Sequence, residues 1–210
     1  MAKPSQLKLL ALGDSYTIGE AVDESERWPV LLFKILNEAG VVVKMPQIVA
    51  KTGWTTDELN QAIDDANIKE TFHLVSLLIG VNNQYRGRSV ENYKIEFEAL
   101  LKRAIKFAGN EPPNVFVLSI PDWGCTPFAE GRDRQKIAEE IDAYNLVNKQ
   151  ISESLGVKWF DITTSTRKSI GDLSLLAADG LHPSGKNYKE WATIVASWLL
   201  PKIHNSMPGI

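Results

Sequence analysis

The sequence predicts an α/β fold, a doubly wound parallel sheet of about five strands covered by helices on both faces. Three observations carry that expectation. Short, almost continuously apolar runs bounded by turn residues recur along the chain, as strands buried on both faces require. Between them lie longer stretches whose apolar residues return at helical spacing. The third is size: 210 residues, 44% hydrophobic and 23% charged, suit one globular domain over 1–210 with a sizeable core.

Taken in order, the first strand is expected over Lys8–Leu12. In the helix that follows, Pro29 suits a first helical position, and Leu31, Leu32, Ile35, Leu36 and Ala39 share a face ended by Gly40. Gln47–Ala50 reads as the second strand, and Thr55-x-x-Glu58 is a capping box opening the second helix. After the third strand, Leu74–Ile79, a helix carries Tyr93, Phe97, Leu100, Leu101, Ala104 and Ala108 up to Gly109 and the Pro112-Pro113 break. The fourth strand is Val115–Ile120. The Pro- and Gly-rich stretch from Pro121 to Arg134 reads either as a binding loop or as a plain surface connection. Ile137, Ile141, Tyr144, Ile151 and Leu155 keep helical spacing up to Gly156, and Lys158–Phe160 supplies the fifth strand. Ser184 can cap a last helix bearing Tyr188, Trp191, Val195 and Trp198. No internal repeat or linker marks a second domain.

Composition narrows the function. The net charge of -3 is spread along the chain with no basic stripe, so nucleic acid is not an expected partner. One cysteine, Cys125, excludes an internal disulfide framework and a multi-cysteine metal site; a reactive thiol is open to it, but it reads better as a loop or packing residue. No His-x-x-x-His pair is present, and no metal is expected. The apolar run Leu7–Leu12 is too short for a membrane span, and Asp14 soon follows where a signal peptide would stay apolar. Read literally, that places the protein in the cytoplasm; a chain trimmed of a leader reads the same.

In open parallel sheets, ligands bind beyond the carboxyl ends of the strands, so the residues just after each strand matter most. After the first strand stands Gly13-Asp14-Ser15-Tyr16. A serine there can hold its hydroxyl clear of the sheet, and becomes a nucleophile only if a base takes its proton; the same tripeptide also serves as a plain turn. Asp179-Gly180-Leu181-His182-Pro183 offers that base. One turn brings the Asp179 carboxylate to Nδ1 of His182 and leaves Nε2 free, although a surface Asp–His pair at a helix start has the same spacing. Gly53 lies just before the capped helix, where a backbone N–H is sterically open. The Asn82 amide in Gly80-Val81-Asn82-Asn83 can give a second donor to a developing oxyanion. A tight turn accounts for Gly53 as well, and a loop or cap for Asn82.

Together, these four blocks resemble, in order and over nearly the whole chain, those of the GDSL or SGNH hydrolases. The resemblance implies a flavodoxin-like three-layer fold and esterase, lipase or related acylhydrolase activity on a small-molecule ester. It implies Ser15 as nucleophile and backbone oxyanion donor, Gly53 and Asn82 as further donors, His182 as base and Asp179 as its partner, with no cofactor. Two departures stand out: Tyr16 replaces the leucine of the family name, and Asn83 stands where aspartate is frequent.

Three rivals are weighed against this. An α/β-hydrolase needs a Gly-x-Ser-x-Gly elbow, which occurs nowhere. Gly180-x4-Gly185-Lys186 approaches a P-loop, but Asn187 replaces the hydroxyl residue that would hold magnesium. A non-enzymatic carbohydrate- or small-ligand-binding module would use Trp54 and Trp123, loop aromatics that can pack on a sugar ring or an acyl chain. His73 and His204 lack matching partners and read as structural or exposed.

Overall fold

The computed structural model describes residues 6–205. Five strands, β1 (Leu9–Gly13), β2 (Gln47–Ala50), β3 (Leu74–Leu78), β4 (Val115–Leu118) and β5 (Lys158–Phe160), pair in parallel in the order β2-β1-β3-β4-β5. That is the flavodoxin-like order. Each lies within two residues of its expected run. Strands β1, β3 and β4 are buried along their whole length, which explains their unbroken apolar character. Strand β4 stops short of Ile120 because side chains replace the ladder: the Asn145 amide holds both the N–H and the carbonyl of Ile120, at 2.7 and 3.0 Å.

The helices are α1 (Ser15–Ile18), α2 (Trp28–Glu38), α3 (Thr56–Asp65), α4 (Val81–Tyr85), α5 (Val90–Phe107), α6 (Arg134–Ser154), α7 (Thr163–Arg167) and α8 (Gly185–Asn205). On one face of the sheet α2 packs against α8, and on the other α5 lies between α3 and α6. The first face is sealed by edge-on rings: Trp28 and Trp198 each meet Phe116 at 6.3 Å. On the second, Tyr93 stacks on Tyr144 at 4.6 Å and donates its hydroxyl to the Ile79 carbonyl. Each fully buried ring or aliphatic chain of this core stabilises the fold by about 1.5–3 kcal/mol.

Local signals act as expected, with small shifts. Pro29 occupies the second helical position of α2, after Trp28. The Glu58 carboxylate accepts the Thr55 N–H at 2.9 Å and closes the capping box of α3. The segment from Pro121 to Arg134 is not a surface connection in its first half: Pro121 to Thr126 is buried. Buried Asp122 there pairs with Arg167 of α7 at 2.8 Å, and the Cys125 thiol packs 3.3 Å from Ser169. Burial pushes that thiol up, away from reactivity. His73 is structural, accepting the Lys8 N–H at Nδ1; the His204 side chain lies outside the described residues. Lys186 of the near P-loop is paired with Asp172. Among the described residues no helix is long and apolar enough to cross a membrane.

Candidate active site

The carboxyl ends of β1, β2 and β3 open onto one cavity of about 200 Å³, lined by Ser15, Gly53, Asn82, Trp123 and His182 among others. Five separate segments of the chain thus meet where the sheet topology directs them.

Ser15 opens α1 directly after β1 and is almost fully buried. The preceding Asp14 caps this short helix, its Oδ1 accepting the Tyr16 N–H at 3.0 Å. Asp14 itself is completely buried, and burial pushes its carboxyl up from 3.8 to about 7. Its Oδ2 has no hydrogen-bond partner among the described residues. Gly13 is forced by space: a Cβ there would lie 2.2 Å from the Thr17 hydroxyl and 2.6 Å from the Leu78 carbonyl.

His182 approaches from a tight turn ahead of α8. Asp179 Oδ2 lies 2.6 Å from Nδ1, while Oδ1 accepts the backbone N–H groups of Leu181 and His182, each at 3.0 Å. Burial works to raise the Asp179 carboxyl, but these bonds outweigh it and hold it below its ordinary value. The carboxylate therefore fixes the imidazole and its tautomer, and leaves Nε2 uncommitted. Tyr16, in the place of the leucine, lies 5.2 Å from the imidazole, ring centre to ring centre. Ser15 and His182 share the cavity wall without a direct hydrogen bond between them.

The two residues expected as donors, Asn82 and Gly53, are held in place by local hydrogen bonds. The Asn82 amide gives one N–H to the Trp54 carbonyl at 2.9 Å, which orients it and leaves its second N–H unspent. Gly53 sits in a turn closed by the Trp54 N–H on the Lys51 carbonyl, with φ +85°, the left-handed backbone that favours glycine. Asn83 turns away from the cavity. It accepts the Thr56 N–H at 3.1 Å and donates to the Thr56 hydroxyl at 2.6 Å, tying α4 to the start of α3.

Of the two tryptophans singled out in the sequence, Trp123 lines the cavity and Trp54 does not. Trp54 contributes its carbonyl instead. Trp123 is pinned by the Gln84 side-chain carbonyl at 2.8 Å, and Gln84 in turn by Glu140 of α6 at 2.7 Å. Sequence reasoning missed Tyr85 and Phe128, which stand edge-on to Trp123 at 5.3 and 5.9 Å, line the cavity and leave about half their surface exposed. Tyr85 lies three residues after Asn82, a helical spacing that would have flagged it had α4 been recognised.

The profile of the GDSL-like lipase/acylhydrolase family matches residues 11–189. The chain belongs to this family. A search of curated protein sequences returns no match. Among solved structures, that of TesA superimposes with a TM-score of 0.71 at 21% identity, covering 92% of this chain and 98% of that one. The psychrotrophic esterase EstA from Pseudoalteromonas sp., inhibited by monoethylphosphonate, gives 0.69 at 19%, covering 91% and 98%. The acetylxylan esterase Axe2 from Geobacillus stearothermophilus gives 0.69 at 19%, covering 94% of each. At these identities the likeness establishes a common fold.

Proposed function

We propose that this family member hydrolyses carboxylic esters of small acyl groups through an acyl-enzyme on Ser15. The observation that carries the reading is the convergence on one cavity of Ser15, an imidazole held through Nδ1 by Asp179 at 2.6 Å, and the two donors Gly53 and Asn82. Ser15 Oγ attacks the ester carbonyl as His182 Nε2 takes its proton, and Asp179 stabilises the imidazolium formed. Charge on the carbonyl oxygen develops against the Ser15 N–H, the Gly53 N–H and the second N–H of the Asn82 amide. His182 returns the proton to the leaving alcohol, and a water activated by the same imidazole then releases the acid. Every proton and electron pair is handled by the chain's own groups, so the cycle calls for no cofactor.

The small-acyl preference is supported by the cavity, whose volume of about 200 Å³ falls below the usual range for drug-sized ligands. Trp123, held by Gln84, forms part of its wall. The esterase and acetylxylan esterase among the fold neighbours are in keeping with this chemistry.

The test is hydrolysis of p-nitrophenyl esters of increasing chain length, with Ser15→Ala as the blank. Turnover should peak between acetyl and butyryl and fall by roughly four powers of ten in the variant. A peak at long chains would overturn the small-acyl reading. Near-wild-type hydrolysis by Ser15→Ala, or no fluorophosphonate adduct on Ser15, would favour the ligand-binding module instead.

A further inference from the structure

We infer that Arg86 is a positioning residue for this hydrolysis, gripping from α4 the turn that presents the Gly53 N–H to the developing oxyanion. The inference rests on the assignment of Gly53 as an oxyanion donor, and on three observations about the turn.

First, the Lys51–Trp54 turn is weakly held from within. Its closing bond, Trp54 N–H to the Lys51 carbonyl, is 3.3 Å long, and Lys51 and Thr52 are exposed. Glycine at its third position adds backbone freedom at the very residue whose N–H must stay aimed.

Second, two successive carbonyls of that turn are held from outside by a single short helix. The Arg86 guanidinium donates to the Gly53 carbonyl at 2.6 Å, and the Asn82 amide donates to the Trp54 carbonyl at 2.9 Å. The two donors are four residues apart and so rise from one face of α4 and its end. The helix that carries one oxyanion donor thereby sets the position of the other.

Third, the guanidinium is itself braced. Its other arm lies 3.3 Å from Glu58, whose second oxygen accepts the Thr55 N–H at the start of α3. A planar fork spanning a carbonyl and a carboxylate is a task lysine cannot perform with a single ammonium.

An interaction that acts on the oxyanion is made only in the transition state, so its loss lowers kcat and leaves KM in place. A merely structural anchor would lower thermal stability and leave the kcat of folded enzyme unchanged. The experiment measures kcat and KM for p-nitrophenyl acetate, and Tm, in wild type, Arg86→Met and Arg86→Lys. Arg86→Met keeps the aliphatic stem and removes donors and charge. We expect its kcat to fall roughly tenfold or more, as a weakened oxyanion donor predicts, at an unchanged KM. Arg86→Lys, keeping the charge and one donor, should recover part of the loss, and should report the effect by itself if Arg86→Met fails to fold. Turnover within about twofold of wild type in folded Arg86→Met would overturn the inference, as would a rise in KM at constant kcat. Wild-type hydrolysis that survives Ser15→Ala would remove the assignment beneath it, and is a different result from either.

Discussion

Asp14 is a residue under electrostatic tension. It stands next to the proposed nucleophile, completely buried, with one carboxylate oxygen capping α1 and the other unmatched among the described residues. Burial raises its carboxyl to about 7, whereas in the unfolded chain it titrates near 3.8. Between those values the folded protein holds a proton that the unfolded chain has released, so stability is highest in acid and declines as pH rises through the window. Above about pH 7 both states are ionised and the decline stops. The shift corresponds to roughly 4 kcal/mol across the window. Asp14→Asn keeps the oxygen that caps α1 and cannot ionise. Its denaturant-unfolding free energy at pH 8 should exceed that of wild type, and the profile between pH 4 and 7 should flatten. A variant as pH-dependent as wild type would show that another group sets the slope.

At the scale of elements, α4 organises the site although it is only five residues long. Asn82 reaches the Trp54 carbonyl, Asn83 the start of α3, Gln84 the indole of Trp123, and Tyr85 the cavity mouth. The departure at Asn83 has a local cause. Its amide donates to the Thr56 hydroxyl, whose own proton goes to Glu96. An aspartate there would face that oxygen without a proton and set a second carboxylate near Glu96. Asn83→Asp should therefore cost about 1–3 kcal/mol in urea unfolding. Adding Glu96→Gln should restore most of it, because the glutamine amide can donate to the hydroxyl and free its proton for the introduced carboxylate. Little of this was legible in the sequence. Five residues carry no helical period, and partners such as Thr56 and Glu140 lie 27 and 56 positions from Asn83 and Gln84. Ser15, Gly53, Asn82, Asp179 and His182 were legible because each sits in a short motif just after a strand or at a helix entry.

For the whole molecule, the sheet was legible for the reason that it is stable. Strands β1, β3 and β4 are buried on both faces, so nearly every position must be apolar, and the runs announce themselves. The first half of the loop after β4 hid its burial behind polar residues, since Asp122 is matched by Arg167, 45 positions later. Leu77, fully buried in β3 between Leu12 and Val117, tests how evenly the core supports the site. Leu77→Ala should cost about 2–5 kcal/mol, which lowers Tm by roughly 4–20 °C in a thermal melt. At 25 °C the folded variant should keep its KM for p-nitrophenyl acetate, because Leu77 is not part of the cavity wall.

The convergence of five separate segments on one cavity has a consequence during synthesis. Ser15 is synthesised before β2 to β5, and β1 to β4 can begin to pair while translation continues, yet His182 and the α8 helix that packs on α2 follow all five strands. If Ser15 and His182 act together as proposed, a nascent chain gains esterase activity only once the segment carrying His182 has emerged and folded.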